Sequence, residues 1–229
     1  MSNENESDTD TGFPIYSGNI MYPPRPKVSI PPEKIIDYEK KGYVAQLKFN
    51  GTRTLVEMKP GGEIKLWTRN REPHKAYTLS EGMKADLMEF HESSDPDKHV
   101  VLDGELMHSK TKGLKDVFIA FDILVCEDNY FIDMKMLERF RILDEIMGEQ
   151  DDREKQTGRE IAIYVRDHLW LADTFVYDLA GQFERFKDMD EVEGLVLKNP
   201  DAKLERGHSE NNNSSWLIRA RKPNKNYRF

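Results

Sequence analysis

Cysteine is nearly absent from this sequence. Cys126 stands alone, so no disulfide can form within the chain. That suits a reducing compartment, and cytoplasmic placement is expected. Long apolar runs are missing too. No stretch approaches the length of a membrane-spanning helix, and the opening residues are acidic and polar, unlike a secretion signal, so no membrane partner is expected. The six histidines are scattered, with no pair at metal-ligand spacing, which argues against a zinc site. There is no G-x-x-x-x-G-K-[ST] loop, which excludes a P-loop nucleotide site, and no G-x-S-x-G elbow, which argues against a serine hydrolase of that kind. No internal repeat is present. Strands and helices do not alternate regularly, so a doubly wound dinucleotide fold is disfavoured.

Charge is plentiful. At 38% apolar and 33% charged residues, the chain of 229 can bury a sizeable core, as one large domain or two small ones. The net charge of −8 on its face argues against a polyanion partner. The distribution tempers this. Asn3–Asp10 and Gly148–Glu154 are acidic runs, whereas Arg219, Arg221, Lys222, Lys225 and Arg228 follow Trp216 with no acid among them. A basic end on an acidic body can still meet phosphates locally.

Pattern and turn chemistry place the elements. Residues 1–20 read as a disordered acidic tail, and Tyr22–Pro26 as a stiff, extended lead-in. Pro32–Lys41 predicts a short helix stopped by Gly42. Tyr43–Leu47, Arg53–Met58 and Glu63–Thr68 read as strands, the last two joined at Lys59-Pro60-Gly61-Gly62. Leu79–Phe90, Met134–Met147 and Val176–Phe186 have helical spacing. Val100–Met107 and Val117–Val125 read as strands around a Lys/Gly-rich loop, and Ile161–Val165, Leu195–Leu197 and Trp216–Arg221 as further strands. Glu149–Arg159 and Asn199–Ser215 read as polar loops, and 223–229 as a basic tail. The fold class expected is α+β, with antiparallel sheets flanked by helices.

Five segments carry charged or aromatic residues at strand ends. Lys48-Phe49-Asn50-Gly51-Thr52-Arg53 sets a lysine and an arginine around a glycine turn. A lysine attacks an electrophile only when neutral, and a neighbouring cation such as Arg53 favours that form. Asp103-Gly104-Glu105 puts two acids within a strand, where a carboxylate can accept a ribose hydroxyl or sit near a metal. In Phe118–Leu124, alternation puts Ile119, Phe121 and Ile123 on one face, and an aromatic there can stack on a base. Glu193 and Lys198 bracket an apolar strand, suited to a divalent ion and a phosphate. Arg219 and Arg221 share a strand face, and such paired cations repel unless they share an anion. Each segment alone also has an ordinary reading as a solvated turn, a bulged or capped strand, a core phenylalanine or a basic terminus.

In order, these segments resemble the nucleotidyltransferase domain of ATP-dependent DNA and RNA ligases, the covalent nucleotidyltransferase superfamily that also holds mRNA capping guanylyltransferases. Lys48–Arg53 is similar to the nucleophile motif K-x-D-G-x-R, and Trp67–Glu72 to the following S-R-N segment. Asp103–Leu106 resembles D-G-E-L, and Phe118–Leu124 the aromatic motif. Leu137–Arg141 resembles L-x-E-R-R, Glu193–Lys198 E-G-L-V-x-K, and Trp216–Lys222 the closing W-L-K-x-K. The resemblance covers Tyr22 to Lys222. It implies an ATP-grasp-like nucleotidyltransferase (adenylation) domain over 21–222, acting on nicked or broken DNA or RNA as a monomer.

The resemblance also implies roles. Lys48 attacks ATP and holds AMP. Gln46 lies near the adenine amino group, Arg53 reaches ribose or acceptor phosphate, and Arg69 holds the 5′-phosphate end. Glu105 bonds ribose, Phe121 stacks on adenine, and Lys198, Arg219 and Arg221 steady the triphosphate. Glu105 and Glu193 are the implied ligands of Mg2+ or Mn2+. The sequence departs from the family pattern at Asn50, where aspartate is commoner, and at Arg219 and Arg221, where lysines are usual. A C-terminal OB-fold domain is not expected in the 229 residues. Motif detail after Phe121 and around Glu193 leans toward DNA, while Asn50 leaves RNA joining open. A GTP-using capping enzyme and a nucleic-acid-binding module with a dead site are the alternatives.

Overall fold

The computed structural model describes residues 15–16, 19–20, 22–70, 72–148, 161–205 and 212–223. The expected loop Glu149–Arg159 lies outside these residues, as do 1–14 of the expected N-terminal tail and 224–229 of the C-terminal one. Within the range assigned to the N-terminal tail, β1 (Ile15–Tyr16) and β2 (Asn19–Ile20) pair as an antiparallel ribbon. Next comes β3 (Arg25–Ile30), then a 3-10 turn at Pro32–Lys34 leading into helix α1 (Ile35–Glu39). β4 (Val44–Phe49) runs into the turn at Asn50-Gly51, and β5 (Thr52–Lys59) and β6 (Glu63–Thr68) form the expected hairpin. Helix α2 (Glu81–Ser94) starts where the Ser80 hydroxyl accepts a hydrogen bond from the Met83 amide, and it buries Met83, Leu87 and Phe90 at helical spacing.

Strands β7 (Val100–Met107) and β8 (Val117–Cys126) follow as expected, with a short β9 (Asn129–Tyr130) folded back on β8. Helix α3 (Met136–Gly148), β10 (Ile163–Tyr164), β11 (Leu169–Leu171), helix α4 (Leu179–Phe186), β12 (Val192–Lys198) and β13 (Asn213–Arg221) complete the chain. A seven-stranded sheet has the order β10-β11-β8-β7-β5-β6, with β9 on β8, and a four-stranded sheet has the order β3-β13-β12-β4. The α+β class is as expected, but the sheets are not wholly antiparallel: β11 runs parallel to β8 and β13 parallel to β3. Both departures involve strands that sequence pattern hides. Pro26 has no N–H to give, so the segment reads as polyproline-like, yet an edge strand tolerates it. Three-residue β11 is too short to show a period.

Two cores flank the seven-stranded sheet. On one face, Val56, Met58, Leu102, Phe118 and Ala120 pack with Met83, Leu87 and Phe90 of α2 and with Leu143 and Met147 of α3. On the other, Val117 and Ile119 meet Leu47, Phe49, Leu195, Leu197 and Ile218 of the four-stranded sheet, with Leu179, Phe183 and Phe186 of α4 closing the side. A cleft lined by residues of both sheets is the candidate site.

One expectation about β8 fails. Ile123 does not share a face with Ile119 and Phe121 but belongs to the helix-side core. The pairing explains this. Asp103 faces Asp122 and Gly104 faces Ala120, so Phe121 is an extra residue on β8. A bulge of this kind breaks the two-residue alternation and re-aims the side chain at its centre.

Candidate active site

The cleft has a volume of about 680 Å³ and is lined from both sheets. The four-stranded sheet supplies Gln46 and Lys48 of β4, Glu193 and Lys198 of β12, and Arg219 and Arg221 of β13. The seven-stranded sheet supplies Arg53 of β5, Asp103 and Glu105 of β7 and Phe121 of β8, with Arg69 and Lys110 on the loops after β6 and β7. Every site residue expected from sequence therefore lines one cavity. Its lining holds nine lysines and arginines against five acids, in a chain whose net charge is −8. The positive charge is gathered where an anion could enter.

Lys48 lies one residue before the end of β4, opposite Gly194 of β12. Its Nζ donates to Glu193 Oε2 at 2.5 Å, and Arg221 Nη2 lies 3.5 Å from the same oxygen. Glu193 is thus an anion common to Lys48 and Arg221. The two motif glycines have steric causes. A Cβ on Gly51 would lie 2.6 Å from Leu106 O and 2.7 Å from Glu105 Cγ, so only glycine lets the turn press against β7. Gly194 has φ 140°, and a Cβ there would meet Ala220 O at 2.0 Å. Asn50 is also accounted for. Its Nδ2 donates to Asp190 O at 3.1 Å and its backbone N to Glu191 O at 2.8 Å, fastening the turn to the segment that enters β12. An aspartate could not donate to that carbonyl.

Arg53 is committed to protein partners. Nε and Nη2 grip Asp103 as a fork, with Nε to Oδ1 at 2.9 Å, and Nη1 donates to Pro24 O at 2.8 Å. Its guanidinium lies 5.4 Å from the centre of the Phe121 ring, and Lys198 Nζ lies 5.1 Å from the same centre. Lys198 also donates to Phe121 O at 3.3 Å. Burial pulls its pKa down to about 8, against the pull of Asp122 and Asp103. Gln46 is buried, and its Nε2 donates to Thr174 Oγ1 at 3.0 Å and to Phe121 O at 3.5 Å. Glu105 is pushed up to about 7, chiefly by burial and in part by Glu193, while Lys48, Lys110 and Arg53 pull it down.

Arg69 is exposed at the cleft mouth, whereas Arg219 and Arg221 are half-buried within it. Lys222 points elsewhere: its Nζ donates to Met189 O at 2.9 Å, so the arginines, not Lys222, supply the cations of the last motif to the cleft. Behind Phe121, Arg139 makes a buried fork with Asp122 at 2.9 and 2.8 Å and donates to Met134 O. Sequence reading missed the roles of Asp122, Thr174 and Lys110. For Lys110 the signal was present in the Lys/Gly-rich loop, but nothing local tied that loop to the Lys48 turn. Among the described residues, no group of three or more His, Cys, Asp or Glu side chains is placed to hold a metal ion, and no helix is long and apolar enough to cross a membrane.

Known proteins resemble this chain in sequence and in fold. A DNA ligase 2 from Korarchaeum cryptofilum (strain OPF8) is 26% identical over 193 residues, which is 76% of this chain but 30% of that protein's length. The ligase domain of LigD from M. tuberculosis superposes with a TM-score of 0.57 at 17% identity, covering 86% of this chain and 60% of that one. The ATP-dependent DNA ligase of bacteriophage T7, solved with ATP, gives 0.55 at 16% identity, covering 87% and 68%. At those identities the likeness is one of fold. The family model described as mRNA capping enzyme, catalytic domain, matches residues 16–212. The chain therefore belongs to that family of nucleotidyltransferase domains, whose fold it shares with the adenylation domains of ATP-dependent DNA ligases.

Proposed function

We propose that this chain is an ATP-dependent polynucleotide ligase that works through a lysyl-AMP intermediate, with DNA favoured over RNA. The observation that carries the reading is Lys48: its amine opens into the cation-lined cleft, hydrogen-bonded at 2.5 Å to the carboxylate of Glu193. In the first step Nζ bonds to the α-phosphorus of ATP, the bond to the bridging oxygen breaks, and pyrophosphate leaves. Glu193 is the acceptor within reach of the proton that Nζ must lose. Lys198, Arg219 and Arg221 line the wall where charge develops on the leaving group. Phe121, with Arg53 and Lys198 close to its ring, offers an aromatic face to the base, Gln46 stands beside it, and Glu105 accepts a ribose hydroxyl. A 5′-phosphate oxygen, steered by Arg69, next takes AMP from Nζ. A 3′-hydroxyl then displaces AMP, forming the phosphodiester.

Glu105 and Glu193 fit a magnesium or manganese ion only in part: two carboxylates leave the remaining positions to phosphate oxygens and water, which is how magnesium is commonly held beside polyphosphates. Such an ion would supply charge neutralisation at the phosphates. A GTP-using capping reaction is the second reading, favoured by the family match over residues 16–212. The DNA ligase relative and the ligase folds are the grounds for ranking it second.

Incubation with α-labelled ATP or GTP separates the readings. Label from ATP on the wild type and none on Lys48→Ala is expected. Arg221 still faces Glu193 in that variant, so its fold is expected to persist. Label from GTP alone would favour capping, label from neither would favour a dead binding module, and a labelled Lys48→Ala protein would sink the covalent mechanism. Sealing of nicked DNA, nicked RNA and hybrid duplexes then ranks the substrates.

A further inference from the structure

Lys110 has no place in the motif series, yet the topology brings it to the nucleophile turn. Strand β5 is flanked by β6 and β7, both antiparallel to it, with Thr54 opposite Thr68 and Thr52 opposite Leu106. The ends of β6 and β7 therefore lie on either side of the start of β5, where Asn50-Gly51 turns the chain. Arg69 follows β6, Lys110 follows β7, and both are exposed on the cleft lining. Lys110 Nζ donates to Gly51 O, which takes one of the three donors of an ammonium.

The loop bearing Lys110 is anchored rather than loose. Thr111 is buried and its hydroxyl donates to Leu114 O at 2.7 Å. The Lys112 amide donates to Asp190 Oδ2 at 3.1 Å, on the segment that Asn50 also grips. His108 reaches Thr52 Oγ1 at 3.1 Å and packs edge-on against His74 at 5.6 Å, joining the loop after β7 to the one after β6.

We propose that Lys110 contacts a nucleic-acid phosphate and, with Arg69, clamps the sugar–phosphate backbone on both sides of the Lys48 turn. This rests on the ligase reading above. Strands two apart in a sheet lie about 10 Å from each other. A polymer with a phosphate at every nucleotide can bridge that gap. A single triphosphate cannot do so while also lying against Lys198, Arg219 and Arg221, because those cations come from the opposite sheet.

The test measures binding of a 5′-phosphorylated nicked DNA duplex to the full chain by fluorescence anisotropy across a salt series, beside the KM for ATP in adduct formation. Lys110→Gln is expected to weaken duplex binding roughly fivefold at low salt and to flatten the slope of log Kd against log salt by about 1, with Lys110→Arg keeping most of both. An unchanged salt slope overturns the proposal. So does a rise in the KM for ATP equal to the loss of duplex affinity, which would place Lys110 on the triphosphate. Melting curves of both variants check that the fold is intact. Failure of the ligase reading shows separately, as no adduct with either nucleotide, while the duplex arm still reports on Lys110.

Discussion

Two arginine–aspartate forks stand side by side across the β7–β8 pair, because Asp103 and Asp122 are register partners. In one, Arg53 holds Asp103; in the other, Arg139 holds Asp122. The chemistry is the same and the surroundings differ. Arg139 is 0% exposed, and its third partner is the carbonyl of Met134 at the entrance to α3. It ties helix to sheet behind the cleft. The Arg53 side chain is 18% exposed, and its third partner is the carbonyl of Pro24, just before β3. It ties the two walls of the cleft together while facing the Phe121 ring. One fork builds the floor and the other is part of the surface that a nucleotide would meet. Motif matching alone cannot separate them, since both arginines lie in segments that resemble family motifs.

Each fork can be cut singly. Arg139→Met strands the buried Asp122 carboxylate and is expected to lower unfolding stability by about 3–5 kcal/mol in denaturant titrations, with much of the loss recovered in the double variant with Asp122→Leu. Arg53→Met strands Asp103 too. The Arg53 side chain is itself 18% exposed toward the cleft, so a smaller loss of about 2 kcal/mol is expected, accompanied by a drop of roughly 100-fold or more in adduct formation. If the two variants lose stability equally and Arg53→Met still forms adduct at the wild-type rate, the distinction fails.

Glu105 sharpens the same contrast, for it sits two residues along β7 from Asp103 without an arginine fork of its own. Its carboxyl is pushed up to about 7, and the Lys198 amine is pulled down to about 8, each chiefly by burial. Adduct formation should therefore fall below about pH 7 as Glu105 takes a proton, and again above about pH 8 as Lys198 loses one. Glu105→Gln should flatten the acid limb. The stability sign runs the other way. The folded state holds a proton on Glu105 that the unfolded chain releases near 4.5, so this group makes the fold less stable as pH rises from 4.5 to about 7. Glu105→Gln should then be more stable than the wild type above pH 7, with the gain vanishing below 4.5. An unshifted acid limb and equal stability at high pH would show that burial does not govern this carboxyl.

Much of this was legible in the residues. The Lys59–Gly62 turn, the helical spacing of Met83, Leu87 and Phe90, and the apolar runs of β7, β8 and β12 were readable because each is written in neighbours a few residues apart. The order of the motifs also picked out a set of candidate residues, and the fold brings all of them to the lining of one cleft. The pattern reading misplaced Ile123 because a bulge at Phe121 adds a residue to β8 opposite β7, and no period reports an insertion in one partner of a pair. It passed over β3 because Pro26 resembles a polyproline lead-in, and whether a proline sits at a sheet edge is a fact about its neighbours.

By itself, then, the sequence determined most of the longer elements, the family and the residue types that reach the cleft. Only the tertiary structure decided who answers whom. Lys48 meets Glu193 across 145 positions of sequence, Arg53 finds Asp103 across 50, and Lys110 reaches the Gly51 carbonyl across 59. These pairings depend on strand order and register, which the packing of the two cores on either face of the seven-stranded sheet holds in place. A charge whose partner is set by a distant strand carries no mark of that partner in its own stretch of chain.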